Sequence, residues 1–272
     1  KVEALLFIFS QLGFLGSRGR RGWGNLYLKP KYSSDFRNWT AWDEEELKKA
    51  IKILIEDNIN ELPFEIYKVR REYSDGLEAL EKLGRLYREF RLRYQPDYEN
   101  VKGLLSAIKP KLHDIKSKAE ELIKARVKKA DIKNIDINLE DILEDIKDED
   151  IKEKVEKIKR ESVRRAFLGM PIIFRFRSLN ELFAEVSTEN GRMASPLIFR
   201  IVRLKSGNYS FIIIYLKNYI KPEKFTLTVQ YKQNNNKTKL KVHLNSLRDE
   251  IVEEWINFLR GKGISIERVR YE

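Results

Sequence analysis

The sequence predicts an α+β fold, and a change in its hydrophobic pattern supports this prediction. Over residues 42 to about 165, apolar side chains recur at three- and four-residue steps, the period of an amphipathic helix. From Pro171 onward they alternate or form short runs between turn sequences, which is typical of strands and hairpins. The 272 residues suffice for one large domain or two modest ones.

The first region, residues 1–41, begins with an apolar run at residues 2–9 that predicts a buried helix. The run is too short to span a bilayer, and no small-residue cleavage site follows it, so it is not interpreted as a signal peptide. We expect this helix to pack against residues outside the sequence, as in a fragment that begins within a domain. A loop rich in glycine and arginine and a short strand at residues 25–28 follow.

The second region, residues 42–165, is predicted to be helical. Asp43 and Glu46 have the spacing of a helix N-cap, and a helical apolar stripe begins at Leu47. A second helix, near residues 80–94, has one apolar face and several basic residues on its other faces. Pro110 is predicted to open a further helix that continues to about residue 129. The charge-dense stretch 132–159 is expected to face solvent and to be partly mobile.

The third region, residues 166–272, is predicted to contain a strand at 171–176, a short amphipathic segment at 179–186, and two hairpins. The hairpins join 197–204 to 209–216, and 225–231 to 238–244. A helix that Ser246 caps and Gly261 ends precedes a last strand at 264–270. If the second hairpin is an insertion, the order is βαββαβ, the ferredoxin-like arrangement. Because that fold hosts many functions, it assigns none by itself.

Charge indicates the class of partner. The chain has 54 Lys and Arg against 42 Asp and Glu, a formal net charge of +12 and a pI near 9.5. Such an excess favours a polyanion, either nucleic acid or an anionic membrane surface. The absence of cysteine excludes disulfides and thiolate metal sites, and fits the cytoplasmic location that we expect.

The most informative segment is the glycine–arginine loop, residues 13–24. Glycine permits close backbone approach to a ligand, exposed N–H groups can form an anion-binding nest, and arginine forks suit phosphate oxygens. Residues 1–31 carry a net charge of +5. The alternative is a solvated turn; the loop matches neither a P-loop nor a dinucleotide fingerprint. We predict that RNA is bound by Gly13, Gly16, Ser17, Arg18, Gly19, Arg20, Arg21, Gly22, Trp23 and Gly24.

A second candidate RNA-binding segment lies just before and within the strand at 197–204. Glycine and proline predict a sharp turn there, and the arginine and serine side chains could reach a phosphate or ribose. An ordinary loop with surface arginines is an equally good interpretation. The candidate residues are Arg192, Met193, Ser195 and Arg200.

Catalytic chemistry has little support in the sequence. The two histidines, His113 and His243, lie far apart, and His243 alternates with lysines as an exposed strand residue would. A metal-independent ribonuclease needs a His, Tyr or Lys placed to deprotonate a 2′-hydroxyl, and no such pair is evident locally. We therefore predict no catalytic residue, no metal site and no cofactor.

Four segments, in order along the chain, resemble the RAMP superfamily of CRISPR systems, and in particular the family of the first Cmr subunit of the type III-B effector complex. They are the glycine–arginine loop, the Leu-Tyr-Arg-Glu-Phe-Arg helix at 86–91, the segment 165–174 and the segment 192–197. The resemblance implies ferredoxin-like (RRM-like) RAMP domains with a large helical insertion. Residues 1–41 would end a first domain that lacks its N-terminal portion, 42–165 would be the insertion, and 166–272 the second domain.

The resemblance also implies a function. The chain would hold crRNA, and possibly target RNA, near the 3′ end of the guide, among other Cmr/RAMP subunits and without a membrane partner. In that family this subunit is not the nuclease. Two alternatives stay open: a metal-independent RAMP endoribonuclease that processes precursor crRNA, and a structural subunit that docks other proteins.

Overall fold

The computed structural model describes residues 1–13, 27–55, 62–126, 134–161, 168, 172–179, 181–188, 191, 193–217, 225–233, 236–244 and 251–270. Within these residues the fold is α+β with two β-sheets, which confirms the predicted class. The chain forms two compact units. The first unit comprises Lys1–Phe90, Ser195–Ile220 and Glu250–Glu272, and the second comprises Arg91–Ala194 and Lys221–Asp249. The second unit therefore interrupts the first at two points of the chain.

The first unit contains an antiparallel sheet. Its strands are β1 (Phe64–Val69), β5 (Leu197–Arg203), β6 (Tyr209–Leu216) and β9 (Ile266–Arg268), in the spatial order β5-β6-β1-β9. Its described helices are α1 (Val2–Leu12), α2 (Glu44–Ile55), α3 (Gly76–Leu92, which ends just inside the second unit) and α7 (Ile251–Gly261). Along the chain, β1, α3, β5, β6, α7 and β9 follow one another in the order βαββαβ.

Both faces of this sheet carry apolar side chains, because successive residues of a strand point to opposite sides. Ile198 of β5 belongs to a buried cluster with Phe7 of α1, and Phe7 stacks on Phe36 with ring centroids 4.8 Å apart. On the other face, Phe199 lies 5.7 Å from the Trp255 ring of α7. Helix α1 buries one face only, since Val2, Leu5 and Leu6 are exposed.

The second unit contains a five-stranded sheet. Its strands are β2 (Asn134–Asn138), β3 (Ile172–Arg175), β4 (Leu182–Thr188), β7 (Phe225–Gln233) and β8 (Asn236–Leu244), in the order β2-β8-β7-β4-β3. Strand β2 pairs parallel to β8, and the other pairs are antiparallel. The helices are α4 (Gln95–Arg126), α5 (Glu140–Ile146) and α6 (Glu149–Glu161), with a short 3₁₀ helix at Arg177–Leu179.

One face of this second sheet forms the core of its unit. The ring centroid of Tyr98 on α4 lies 6.3 Å from that of Phe174 on β3. The neighbouring sheet residues Ala184 and Val229 are buried. The α6 residues Ile151, Val155 and Ile158 are buried as well, at helical spacing. The expectation that residues 132–159 face solvent is therefore wrong for one side of this stretch. Its few apolar residues are enough for a buried stripe.

Three other local predictions are wrong. Phe64–Val69, within the region predicted as helical, is strand β1, because it pairs with β6 and β9. Leu182–Thr188, which overlaps the amphipathic segment predicted at 179–186, is strand β4, because it pairs with β3 and β7. Pro110 lies inside α4 and does not begin it. The predicted βαββαβ order thus occurs with a first strand and helix that differ from those expected.

The hairpins and the last helix are confirmed. Strands β5 and β6 pair across a turn in which Gly207 has a φ of 89°, a conformation that favours glycine. Strands β7 and β8 pair from Gln233 opposite Asn236. The expected last strand is shorter, at Ile266–Arg268. Of the strand expected at 25–28, residues 27 and 28 are not in a strand, and residues 25–26 lie outside the described residues, as does Ser246.

Candidate nucleic-acid interface

The glycine–arginine loop begins at Gly13, directly after α1. The Gly13 N–H donates to the Phe9 main-chain oxygen at 2.7 Å and closes the last turn of the helix. A Cβ added at Gly13 would lie 2.4 Å from that oxygen and 2.5 Å from the Phe9 ring. With φ at −76°, glycine is required here by this close approach and not by a left-handed backbone.

Ser10 provides the polar centre of the C-terminal end of α1. Its hydroxyl donates to the Trp39 main-chain oxygen and accepts the Leu28 N–H, both at 2.9 Å. Ser10 is fully buried, so these bonds satisfy a polar group that would otherwise be costly inside the unit. One side chain thus links helix α1 to the main chain at Leu28 and at Trp39.

Arg200 lies on the same face of β5 as Ile198 and is only 1% exposed. Its guanidinium donates to the main-chain oxygen of Ser10, at the negative end of the α1 dipole. The guanidinium carbon lies 5.1 Å from the ring centroid of Tyr27, within cation–π range. Burial lowers the pKa of Arg200, while Tyr27 favours the charged form.

Tyr27 is the first described residue after the loop, and it lies against the edge strand β5. Its hydroxyl accepts the Arg203 N–H at 3.0 Å and donates to the Ile201 main-chain oxygen at 3.4 Å. The Trp42 N–H donates to the Arg203 main-chain oxygen at 2.6 Å. These bonds satisfy backbone groups that an edge strand would otherwise leave open.

Ser10, Gly13, Tyr27 and Arg200 together form what we call the loop anchor. Through Arg200, it brings Ser10, which precedes the loop, and Tyr27, which follows it, to one edge of the first sheet. The loop residues predicted to bind RNA lie outside the described residues; they are Gly16, Ser17, Arg18, Gly19, Arg20, Arg21, Gly22, Trp23 and Gly24.

The structure corrects the prediction for Arg200. The sequence suggests that it reaches a phosphate or ribose, but its burial keeps the guanidinium from the surface, so we assign it to the loop anchor. Sequence reasoning also missed Ser10 and Tyr27. A signal existed for Ser10, because Ser10 and Gln11 are adjacent polar residues in a helix whose one other polar residue is Glu3. For Tyr27 no local signal distinguishes it from other aromatic residues.

Exposed cations surround the anchor in the first unit. Lys29 and Lys31 follow Tyr27 and are exposed, and the Arg203 side chain is exposed on β5. Lys205 forms an ion pair with Asp43 at 2.8 Å. The described segments on either side of the loop anchor therefore carry exposed positive charge.

The second predicted segment is only partly described. Arg192 lies outside the described residues. The sequence predicts that Met193 binds RNA, but its side chain is buried at 7% exposure and does not lie at the surface. The Ser195 hydroxyl accepts the Leu197 N–H at 3.1 Å, which orders the backbone before β5. Gly191 has a φ of 75°, in agreement with the predicted sharp turn.

A tyrosine–carboxylate cluster occupies the other face of the first sheet. The Tyr67 hydroxyl donates to Glu65, whose carboxylate also pairs with Arg268 at 2.8 Å and Lys217 at 3.4 Å. Burial and the bond to Glu65 raise the pKa of Tyr67 well above its ordinary value. A tyrosine that ionises with such difficulty is a poor general base.

The two histidines lie on different elements of the second unit. His113 is exposed on α4, and His243 is exposed on β8, as the alternation with lysines predicted. Among the described residues, no group of three or more His, Asp or Glu side chains is arranged to hold a metal ion. No helix in the described ranges combines the length and apolar character needed to cross a membrane.

Comparison with protein-family models, with curated proteins and with solved structures found no match for this chain.

Proposed function

We propose that this chain is a non-catalytic RNA-binding subunit of a type III-B CRISPR (Cmr) effector complex. It holds crRNA, or crRNA paired with target RNA, near the 3′ end of the guide, beside other Cmr/RAMP subunits in the cytoplasm. The observation that carries the proposal is the loop anchor, in which Arg200 and Tyr27 tie both ends of the glycine–arginine loop to strand β5.

The loop chemistry supports a backbone-binding role. Arg18, Arg20 and Arg21 supply forked donors for phosphate oxygens, and the interleaved glycines allow the chain to approach a ligand closely. Fixed loop ends reduce the conformational entropy that binding would cost. Since these groups suit phosphates and shape better than base edges, base identity should matter little.

The fold of the first unit supports the RAMP assignment. Strands β1, β5, β6 and β9 with helices α3 and α7 follow the order βαββαβ, and β6 and β1 are the central pair of an antiparallel sheet. This order is the one that defines the ferredoxin-like, RRM-like arrangement. In this proposal the second unit is an insertion into that domain.

The geometry favours binding over cleavage. Tyr67 is held by Glu65, its pKa is raised, and it lies on the sheet face opposite Arg200. It is therefore badly placed to act as the base of a ribonuclease beside the loop anchor. The docking alternative makes a different prediction, namely that the isolated chain binds no RNA at physiological salt.

The test is RNA binding by the full chain across a salt series, with an Arg18/Arg20/Arg21→Ala variant and the same RNA monitored for cleavage. The matched control replaces three exposed arginines of α3 and α7: Arg85, Arg88 and Arg260→Ala. The loop variant should lose affinity and show a shallower salt dependence, with a slope smaller by about 3 if each arginine contacts one phosphate.

Each outcome has a defined meaning. If the control loses as much affinity as the loop variant, binding depends on net charge and the loop proposal fails. Cleavage of the RNA by the purified chain would revive the ribonuclease alternative, with His113→Ala and His243→Ala as the next variants. Absence of binding by the unaltered chain would favour the docking alternative.

A further inference from the structure

The face of the second sheet that points away from α4 and α6 is polar. We call it the open face and define it by the row Asp136, Lys239, Gln230, Phe183 and Arg175, which are directly opposed across all five strands. The next row on the opposite face is Ile137, Leu240, Val229, Ala184 and Phe174, and every one of these is buried. In the open-face row only Gln230, on the central strand, is buried at 7% exposure. The other four side chains are exposed or half-buried, so this side of the sheet does not form the core.

An aromatic ring and a guanidinium lie together at one end of the open face. The Arg175 guanidinium carbon is 5.3 Å from the Phe183 ring centroid, and Arg175 is exposed while Phe183 is partly exposed. Beside them Ile173 is 49% exposed. Flat groups of this kind, an aromatic ring and an arginine plane, are the surfaces on which single-stranded bases stack.

Charge on the open face is also suited to a polyanion. The Lys241 ammonium pairs with Asp136 at 2.9 Å, and the Gln230 amide donates to Glu185 at 3.2 Å. Within the part of the chain that the structure describes, Arg175 and Lys239 have no carboxylate partner. Two cations are therefore available for phosphate groups, and of the two carboxylates Asp136 is paired with a cation while Glu185 accepts from a neutral amide.

The size and hydrogen-bonding groups fit a short single strand. The row crosses four interstrand steps of about 4.8 Å, so it is roughly 19 Å long. Thr226 and His243 oppose one another two rows further along the same face and add donors and acceptors there. Sheet faces of similar construction hold two or three stacked bases.

We propose that the open face binds a segment of single-stranded RNA, with bases stacked on Phe183 and Arg175 and a phosphate near Lys239. This site lies in the second unit and uses none of the loop-anchor residues, so it goes beyond the function proposed above and does not depend on it. An acidic peptide is the alternative ligand. Its binding would depend on Arg175 and Lys239 but not on the Phe183 ring.

The test measures binding of a fluorescent single-stranded RNA of about 15 nucleotides to the full chain. The variant Arg175→Gln/Lys239→Gln is compared with Lys157→Gln/Arg160→Gln, which removes the same two residue types from exposed positions of α6. We expect about a tenfold loss of affinity for the open-face variant and less than about twofold for the control. Equal losses in the two variants would overturn the proposal.

A second comparison tests stacking separately from charge. Phe183→Leu keeps an apolar side chain but removes the ring, and Phe183→Tyr keeps the ring. Phe183→Leu should weaken RNA binding several-fold without changing binding of inorganic polyphosphate, and Phe183→Tyr should restore RNA binding. If Phe183→Leu leaves RNA binding unchanged, or if poly-glutamate binds the face more tightly than RNA, the proposal fails.

The Arg18/Arg20/Arg21→Ala variant separates the two proposals. If it abolishes binding while the open-face variant behaves like its control, the open-face proposal is wrong and the loop proposal stands. If only the open-face variant loses affinity, the loop proposal is wrong and the open-face site stands.

Discussion

Arg200 donates a hydrogen bond to the main-chain oxygen of Ser10, a residue 190 positions earlier in the sequence. The bond joins edge strand β5 to the C-terminal end of helix α1, next to the start of the glycine–arginine loop. A buried charge is tolerated there because the helix carbonyl and the Tyr27 ring both favour a cation. Ordering of the loop ends and stability of the first unit therefore depend on the same contact.

Arg200→Lys should destabilise the protein by about 1–3 kcal/mol, since a lysine has no planar fork to bond Ser10 and lie over Tyr27 together. Urea unfolding would measure the change in free energy. Arg203→Lys, an exposed position on the same strand, is the control and should change stability by less than about 0.5 kcal/mol. Similar values for both variants would contradict the anchoring role.

Gly13→Ala should destabilise the protein by about 1–3 kcal/mol, because the new Cβ would collide with the Phe9 carbonyl and ring. Gly84→Ala makes the matched control. Gly84 is exposed in α3, and a Cβ there meets nothing within 4 Å, so alanine should stabilise the helix by up to about 1 kcal/mol. Thermal or urea unfolding of both variants would check the opposite signs.

Asp43 makes stability sensitive to acid. Burial raises its pKa, but hydrogen bonds from Lys205, Asn38 and the Glu46 N–H outweigh this and hold the pKa below its usual value. A carboxylate whose pKa is lower in the folded protein stabilises the fold at pH values above its pKa in the unfolded chain. That stabilisation is lost as the pH falls through the pKa of the folded protein. Unfolding free energy should therefore decline below about pH 4.

Asp43→Asn tests this pH dependence. Asparagine keeps a good helix cap but loses the ion pair with Lys205, whose side chain is 59% exposed, so the cost at pH 7 should be about 1 kcal/mol or less. The difference between the variant and the unaltered protein should shrink as pH falls from 7 to about 3. A constant difference in urea unfolding over that range would contradict the assignment.

Glu65→Gln should lower the free energy of unfolding by about 1–3 kcal/mol. It removes the carboxylate that Arg268, Lys217 and the Tyr67 hydroxyl share, and that carboxylate is only 15% exposed. Glu267→Gln is the control. Its carboxylate is 36% exposed and pairs with the exposed Arg70, so its loss should cost less than about 1 kcal/mol. Equal costs in urea unfolding would show that the Glu65 cluster contributes no more than a surface pair.

Local patterns predicted the elements whose partners are close in sequence. The β5–β6 and β7–β8 hairpins follow from alternation and short turns, and α2 follows from the Asp43 cap and its apolar stripe. Strand β1 escaped prediction because its partner β6 lies about 150 residues later, at Ile213 opposite Tyr67. Strand β4 has apolar residues at spacings that fit a helix or a strand, and only pairing with β3 and β7 decides between them.

For the candidate site, composition alone predicted the glycine–arginine loop and its positive charge. The close approach at Gly13, the burial of Arg200, the roles of Ser10 and Tyr27 and the contact of Arg175 with Phe183 became evident only in the folded chain. Composition and periodicity are local properties. Burial and contact depend on strand pairing between distant segments, and chain entropy gives no local sign of which segments will meet.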